Sequence, residues 1–423
     1  MHTIIHGDCL EELKKLDDNS VDAVITDPPY GLSNTKPAQV ADVLKAWVTG
    51  DTVSVPAKRG GFMGKDWDSF VPPPAVWAEC MRVLKPGGHM AVFAGARTQD
   101  LMGLSIRLAG FEIRDTLGWI YGSGFPKSMD ISKAIDKAAG AERKVVGKNR
   151  WTNSANHFVP GEDHTARVHT DVTAPATAEA QRWDGWGTAL KPAIEPIILA
   201  RKPLDGTVAS NVLAHGVGGL NIDACRVSTD EDTSRTPSVV GDTSAPMGRG
   251  IAMGGRGHSA GRFPANVLLD EHAAKEMDKQ SGVSMSIRAP RSNGTDHRNR
   301  ESYTPDSGSQ EPRGHNDSGG ASRFFPVFKY QAKAPKKERP VIVREDGSKI
   351  QHPTVKPLAL MEWLVTLITP EGGTILDPFA GSGTTLQAAT NKGFNPIGIE
   401  ADADYIQLIN QRMEGGEQST RSS

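Results

Sequence analysis

The residues with the clearest chemical capacity form two short strings, one near each end of the 423-residue chain. Toward the C-terminus, residues 374–385 read TILDPFAGSGTT. An apolar strand runs through Asp377 into a turn carrying Phe379, Gly381, Ser382 and Gly383, and Thr384 and Thr385 open the helix that follows. Glycine at 381 and 383 permits a tight bend and close ligand approach, and the helix N-terminus beyond offers free N–H donors. That is the pattern of a nucleotide-cofactor site. A phosphate-cradling P-loop would end in Gly-Lys-Ser/Thr, and Gly383-Thr384-Thr385 has no lysine; a dinucleotide fingerprint would need a third glycine where Leu386 stands. Glu400, 23 positions after Asp377 and at the end of the next predicted strand, can accept hydrogen bonds from ribose hydroxyls. A ribose-bearing cofactor without a pyrophosphate fits these residues best.

Near the N-terminus, Asp27-Pro28-Pro29-Tyr30 closes the apolar run VDAVIT of residues 21–26. Two prolines fix φ at successive positions and remove two N–H donors, so the turn offers carbonyl oxygens and the Asp27 carboxylate as acceptors beside the Tyr30 ring. Such a site suits a planar ligand with an amino group. The lone pair of a nucleobase amine is delocalised into the ring, and acceptors around its two hydrogens favour a pyramidal, more nucleophilic nitrogen. The tyrosine face can stack on the base.

Elements that must position these turns are legible in the hydrophobic pattern. Residues 3–6 read as a strand, 10–16 as a helix, 21–26 as a buried strand, 75–84 as a helix halted by Lys85-Pro86-Gly87-Gly88, 89–93 as a strand, 98–108 as a helix and 111–121 as a strand. The alternation predicts an α/β fold with a parallel-rich sheet and helices on both faces. After Gly122 the pattern weakens: 133–144 reads as a helix, 149–187 has little periodicity, and 195–202 (EPIILARK) reads as a return to the sheet. Residues 230–322 are rich in Gly, Ser, Thr, Arg and Asp, interrupted by FPANVLLD at 263–270; within 281–322 five Arg balance five acids, the composition of a loop-dominated segment. Order is predicted again in a helix at 357–368, strands at 374–376 and 396–400, and helices at 384–391 and from 404.

Taken together, the motifs resemble those of the amino-group DNA methyltransferases that use S-adenosylmethionine. The catalytic DPPY at residues 27–30 precedes FAGSG at 379–383, the order of the group called beta. Gly7-Asp8-Cys9 ahead of the catalytic strand and His352-Pro353-Thr354-Val355-Lys356-Pro357 ahead of the cofactor strand agree with it. The resemblance covers roughly residues 1–135, 190–204 and 323–410. It implies a Rossmann-like class I methyltransferase fold. Residues 1–203 would form the first half of the catalytic core, with a loop insertion around 140–187. A partly flexible target-recognition insert would follow at 204–322, then the cofactor-binding half at 323–415 and a disordered tail at 416–423.

It also implies roles. Phe379, Gly381 and Gly383, with Asp377, Ser382, Thr384 and Thr385 around them, would shape the pocket for methionine and ribose. Thr354 and Lys356 would lie near the methionine carboxylate, Glu400 would hold the ribose, and Asp8 and Cys9 would border the adenine. Asp27 and the Pro28 carbonyl would bind the target amine beside Pro29, with Tyr30 stacked on a flipped base. The implied reaction is direct methyl transfer to adenine N6 in double-stranded DNA, with cytosine N4 as the alternative target. A catalytically inactive nucleic-acid-binding protein on the same fold is the alternative of another class. No Pro-Cys dipeptide is present to serve carbon-5 methylation, since Cys9, Cys80 and Cys225 follow Asp8, Glu79 and Ala224.

Composition narrows the remaining choices. Lys and Arg number 48 against 50 Asp and Glu, so nucleic-acid contact must come from a local patch rather than a global field. One candidate is 323–339, with six Lys or Arg against one Glu among interleaved aromatics; Lys329, Lys333, Lys336, Lys337 and Arg339 are its expected DNA contacts. Hydrophobic residues make up 37%, with 45 Gly and 28 Pro, a folded core diluted by loops. No apolar run reaches the roughly 18 residues a membrane span needs, and three cysteines without CxxC spacing indicate neither a disulfide framework nor structural zinc. The expectation is a soluble, metal-free protein of the cytoplasm of a prokaryotic or phage-infected cell; a homodimer and a cognate restriction endonuclease are left open as partners. His157, His164 and His169 read as a solvated loop, Trp183 and Trp186 as either a nucleic-acid contact or a small core, and 64–68 (GKDWD) as either a lid or a surface loop.

Overall fold

The computed structural model describes residues 2–33, 35–56, 66–122, 124, 126, 128–152, 168–229, 261–286, 317–328, 340–344 and 346–420. Its nine-stranded sheet comprises β1 (Thr3–His6), β2 (Val21–Thr26), β3 (Leu84–Phe93), β4 (Glu112–Ile120), β5 (Ile194–Arg201), β6 (Val267–Asp270), β7 (Val327–Phe328), β8 (Thr374–Asp377) and β9 (Asn395–Glu400). They lie in the order β1-β9-β8-β2-β3-β5-β4-β6-β7. Every neighbouring pair is parallel except those made by β5, which runs antiparallel to β3 and β4. This is the mostly parallel α/β sheet that the alternation of elements predicts.

Side-chain alternation along the strands explains the two helical layers. Val24, Val92, Ile198 and Ala200 face a core with Leu13 of α1 (Cys9–Leu13), Trp77, Cys80 and Val83 of α2 (Pro74–Val83), and Met102 and Ile106 of α3 (Gln99–Leu108). The alternate residues Ala23, Ile25, Ala91, Phe93, Ile197 and Leu199 face Leu360, Leu364, Val365 and Ile368 of α4 (Leu358–Ile368) and Ala388 of α5 (Thr384–Asn391). Both faces of β2 are completely buried, which suits the mostly apolar VDAVIT, and Asp22 survives there by pairing with Lys85 at 2.6 Å and accepting the Thr374 N–H.

Several expectations shift. Lys85-Pro86-Gly87-Gly88 does not precede β3 but lies inside it, as a bulge between the Val21–Leu84 and Ala23–His89 pairs. Gly87 takes φ +77 there, and a Cβ would meet Asn211 Nδ2 at 2.3 Å. VLLD, within the supposed insert, pairs with Gly118–Ile120 of β4 and so extends the sheet, and β7, from the expected cofactor-binding half, adds beyond it. The chain divides into compact units of 1–122 with 194–423 and of 123–193, not at 203/204 and 322/323. The last helix, Ala403–Thr420, continues through 416–420, where a disordered tail was expected.

The 123–193 unit contains an antiparallel pair, Val145–Thr152 with Val168–Thr173, and helices Ile131–Ala138 and Ala178–Arg182. Its buried Asp136 accepts from Arg143 at 2.6 Å and from the Ala176 and Thr177 N–H groups. Trp183 and Trp186 are exposed and meet edge to face at 5.0 Å. Among the described residues no helix is long and apolar enough to cross a membrane.

Candidate active site

The sheet order creates the site. From β8 the chain crosses through α5 to β9 on one side, whereas β2 leads to β3 on the other, so β8 and β2 flank the switch point of the sheet. They pair in parallel, Ile375 with Ala23 and Leu376 with Val24, and both therefore end on the same edge. The turn after Asp377 and the turn from Asp27 emerge side by side, where ligands of open α/β sheets bind. β1 pairs with β9 through His6–Glu400, which brings Gly7-Asp8-Cys9 to the same edge. The reversed β5 places its N-terminal Glu195 there as well, beyond the Phe93–Ile197 pair.

One cavity of about 660 Å³ receives all of these elements. It is lined by Asp8, Cys9, Asp27, Pro28, Pro29, Tyr30, Thr354, Lys356, Asp377, Phe379, Gly381, Ser382, Thr384, Thr385 and Glu400. Gly383 is not in the lining. It takes φ +76 at the start of α5, and a Cβ there would press on Ile409 at 3.1 Å, so its part is to make the bend. Lys329, Lys333, Lys336, Lys337 and Arg339 lie outside the described residues.

At the glycine end, Gly381 has φ +53 and donates its N–H to Glu400 Oε2 at 2.8 Å; Asp402 donates to Oε1 at the same distance. Each Glu400 oxygen thus carries one bond and retains a lone pair. Burial raises the Glu400 pKa, and it pushes Asp377 up to about 6 against the pull of the Thr385 hydroxyl and the Phe379 N–H. Asp8 accepts from Leu10 N and Glu11 N at the start of α1, which aims this turn at the cavity. Burial pushes the neighbouring Cys9 thiol up to about 12, so it is a neutral, polarisable wall. His352 packs edge to face on Tyr405 at 4.6 Å and stacks with Trp67 at 6.3 Å.

The Asp27 end is an ionic knot. The Tyr30 hydroxyl donates to Asp27 Oδ1 at 2.8 Å, and Lys356 Nζ stands 3.0 Å from the same oxygen, 2.9 Å from Glu195 Oε2 and 2.9 Å from the Tyr30 hydroxyl. Burial would lower the Lys356 pKa, but Asp27 and Glu195 outweigh it and leave it raised; burial and the same carboxylates raise Tyr30. All of these contacts on Asp27 fall on Oδ1 and none on Oδ2. The turn itself is held by Asp68, whose Oδ1 accepts the N–H groups of Tyr30 at 2.6 Å and Gly31 at 3.0 Å.

Glu195 and the anchoring part of Asp68 escaped sequence reasoning. A lone acid opening the apolar run EPIILARK was the available signal for Glu195. Asp68 is separated from its partners by 38 and 37 residues and bears no local mark of its task.

Comparison with known proteins adds the context of relatives. The type II methyltransferase M.HindIII of Haemophilus influenzae is 24% identical over 97% of this chain and 94% of its own length. The DNA adenine methyltransferase YhdJ of Escherichia coli is 35% identical over 29% of this chain and 34% of its own. Among solved structures, the M1.HpyAVI–SAM complex aligns over 98% of this chain and 99% of its own, with 16% identity and a TM-score of 0.39. The cytosine-N4-specific PvuII DNA methyltransferase aligns over 97% and 87%, with 13% identity and a TM-score of 0.43. Residues 21–411 match the N6/N4 methyltransferase family, described as DNA methylases. That span includes both turns and most of the cavity lining, and the chain belongs to the N6/N4 family of DNA methylases.

Proposed function

We propose that this DNA methylase transfers a methyl group from S-adenosylmethionine to the exocyclic N6 of adenine in double-stranded DNA. The observation that carries the reading is the opening of the Asp27 turn and the Gly381 turn into one cavity. The volume suits a nucleoside-sized cofactor, since ligand pockets commonly span about 300–1,000 Å³. The chain's donor set fits that cofactor: Glu400, held by two N–H groups with one lone pair left on each oxygen, suits ribose hydroxyls. Phe379, Gly381 and Ser382, with Asp377, Thr384 and Thr385 behind them, would hold the ribose and methionine parts, with Gly383 making the bend. Asp8 and Cys9 would border the adenine, and Thr354 would lie near the methionine carboxylate, where the family resemblance also puts Lys356.

When bound, S-adenosylmethionine supplies an electrophilic methyl group. The chain's part is to prepare the nucleophile. Asp27 Oδ2 and the Pro28 carbonyl accept the two amine hydrogens, which localises the nitrogen lone pair and stabilises the positive charge that builds as the nitrogen forms its new bond. Pro29 keeps the turn free of competing N–H donors, and the Tyr30 ring offers a face to an extruded base. Adenine is favoured over cytosine by Asp at the first position of the motif and by the likeness to YhdJ. The type II naming of M.HindIII supports a restriction-modification setting, in which a cognate endonuclease would be the genetic partner.

Incubation of DNA with radiolabelled cofactor, followed by digestion to nucleosides, tests the reading. Label is expected in N6-methyladenine; label confined to N4-methylcytosine would overturn the base assignment, and no label in DNA would overturn the activity. Asp27→Ala should abolish transfer while cofactor affinity stays within about threefold, because the carboxylate acts on the amine.

A further inference from the structure

We propose that Lys356 and Glu195 are positioning residues for the target-amine half of the site: Lys356 pins Asp27 by Oδ1, and Glu195 anchors the ammonium that does so. The inference rests on the methyltransferase reading above and changes the part Lys356 plays in it.

An ammonium has three N–H donors and no acceptor. In Lys356 two of them donate hydrogen bonds, to Glu195 Oε2 and to the Tyr30 hydroxyl at 2.9 Å each, and the ammonium forms an ion pair with Asp27 Oδ1 at 3.0 Å. With three oxygens of the Asp27 side of the site within 3.0 Å, the ammonium is committed there rather than to a methionine carboxylate. The Phe93 and Tyr30 rings stand 4.8 and 5.2 Å from the ammonium and close the remaining directions with aromatic faces. The side chain is buried, a buried cation is stable only when paired, and Asp27 and Glu195 are the two carboxylates that pair it.

The fold explains why the pair forms here. Pro357 precedes α4 and limits the freedom of the backbone at Lys356, and β5 is the strand whose reversal puts an N-terminal residue on the ligand edge. A parallel strand in that place would present its other end.

Charge balance gives the arrangement a use. Asp27 and Glu195 carry two negative charges against one positive, so the group as a whole is anionic beside the amine. Lys356 alone would cancel the charge of Asp27; Glu195 restores it, while both Lys356 and Tyr30 engage Oδ1 rather than Oδ2. The amine nitrogen gains positive charge as it is methylated, and a fixed anionic group stabilises that charge without reorganising.

Three variants test this: Lys356→Gln, Glu195→Gln and the double variant. Calorimetric titration with S-adenosylmethionine and single-turnover methylation at saturating cofactor and DNA separate the two halves of the site. Cofactor affinity should stay within about threefold in each, while the single-turnover rate falls about 30-fold or more in Lys356→Gln and about tenfold in Glu195→Gln. Because both act through Asp27, the double variant should be no slower than Lys356→Gln; losses that multiply would overturn the shared route. A Lys356→Gln protein that binds cofactor at least tenfold more weakly yet reacts at the wild-type rate at saturation would assign the lysine to the cofactor and overturn the proposal. Should that variant fail to fold, Glu195→Gln decides alone, since it keeps the side-chain shape and an unchanged rate would overturn the role of Glu195. A wild-type protein that methylates no DNA would instead sink the functional reading, which these comparisons between active variants do not address.

Discussion

Asp377→Asn offers a direct measure of how far the cofactor turn is withdrawn from water. Asp377 is buried at the end of β8, and its pKa is raised from 3.8 to about 6. A carboxyl raised in the folded state binds its proton more tightly there than in the unfolded chain. Its stabilising effect is therefore complete below pH 3.8 and is lost as pH rises through 6. The full difference, about two pK units, corresponds to about 3 kcal/mol. Between pH 5 and pH 7.5 the change is about 1.4 kcal/mol, because part of it has already occurred by pH 5. Buried His89 works in the opposite direction over an overlapping window, since burial first and then Arg201 and Arg114 lower its pKa to about 4 and its stability is lost as pH falls. Comparing both proteins at both pH values cancels His89, which the substitution leaves in place. Urea unfolding of wild type and Asp377→Asn at pH 5 and 7.5 should show the variant losing about 1.4 kcal/mol less than wild type as pH is raised. Identical pH dependence in the two proteins would refute the reasoning and mean that Asp377 keeps an ordinary carboxylate pKa.

Asp68→Ala should remove the common acceptor of the Tyr30 and Gly31 N–H groups, lowering stability by about 2–4 kcal/mol and slowing single-turnover methylation; unchanged denaturation and rate would show that the turn holds itself. Gly383→Ala should cost about 1–2 kcal/mol in urea unfolding, because φ +76 disfavours a side chain and Ile409 lies 3.1 Å from the new Cβ; no loss would mean that the turn relaxes freely. Replacing Lys333, Lys336 and Lys337 with Gln should weaken DNA binding and flatten the slope of its logarithm against salt by up to about three units; an unaltered slope would remove this segment from the interface.

Much of the site could be read from the chain because its key residues act through local backbone chemistry. Gly381 and Gly383 mark a turn by their missing side chains, and Pro28-Pro29 mark one by missing donors, whatever surrounds them. Strand and helix assignments succeeded where burial demands an apolar stretch, as in VDAVIT, or spaces buried residues along a helix, as in residues 384–391, whereas KPGG misled: its stop signal became a bulge that β2 and Pro203 hold within β3. Composition marks 230–322 as loop-dominated, yet three residues of VLLD pair with Gly118–Ile120 and enter the sheet, a long-range pairing that a local string does not reveal.

The sequence by itself determined the two turns, their order and the acceptor chemistry each can offer, because these properties reside within a few consecutive residues. Only the tertiary structure decided that Lys356 faces Asp27 and Glu195. The ammonium and Glu195 are 161 residues apart, and their meeting depends on the direction of one strand in the sheet. Strand direction follows from how all the elements pack, a property no short string of residues contains.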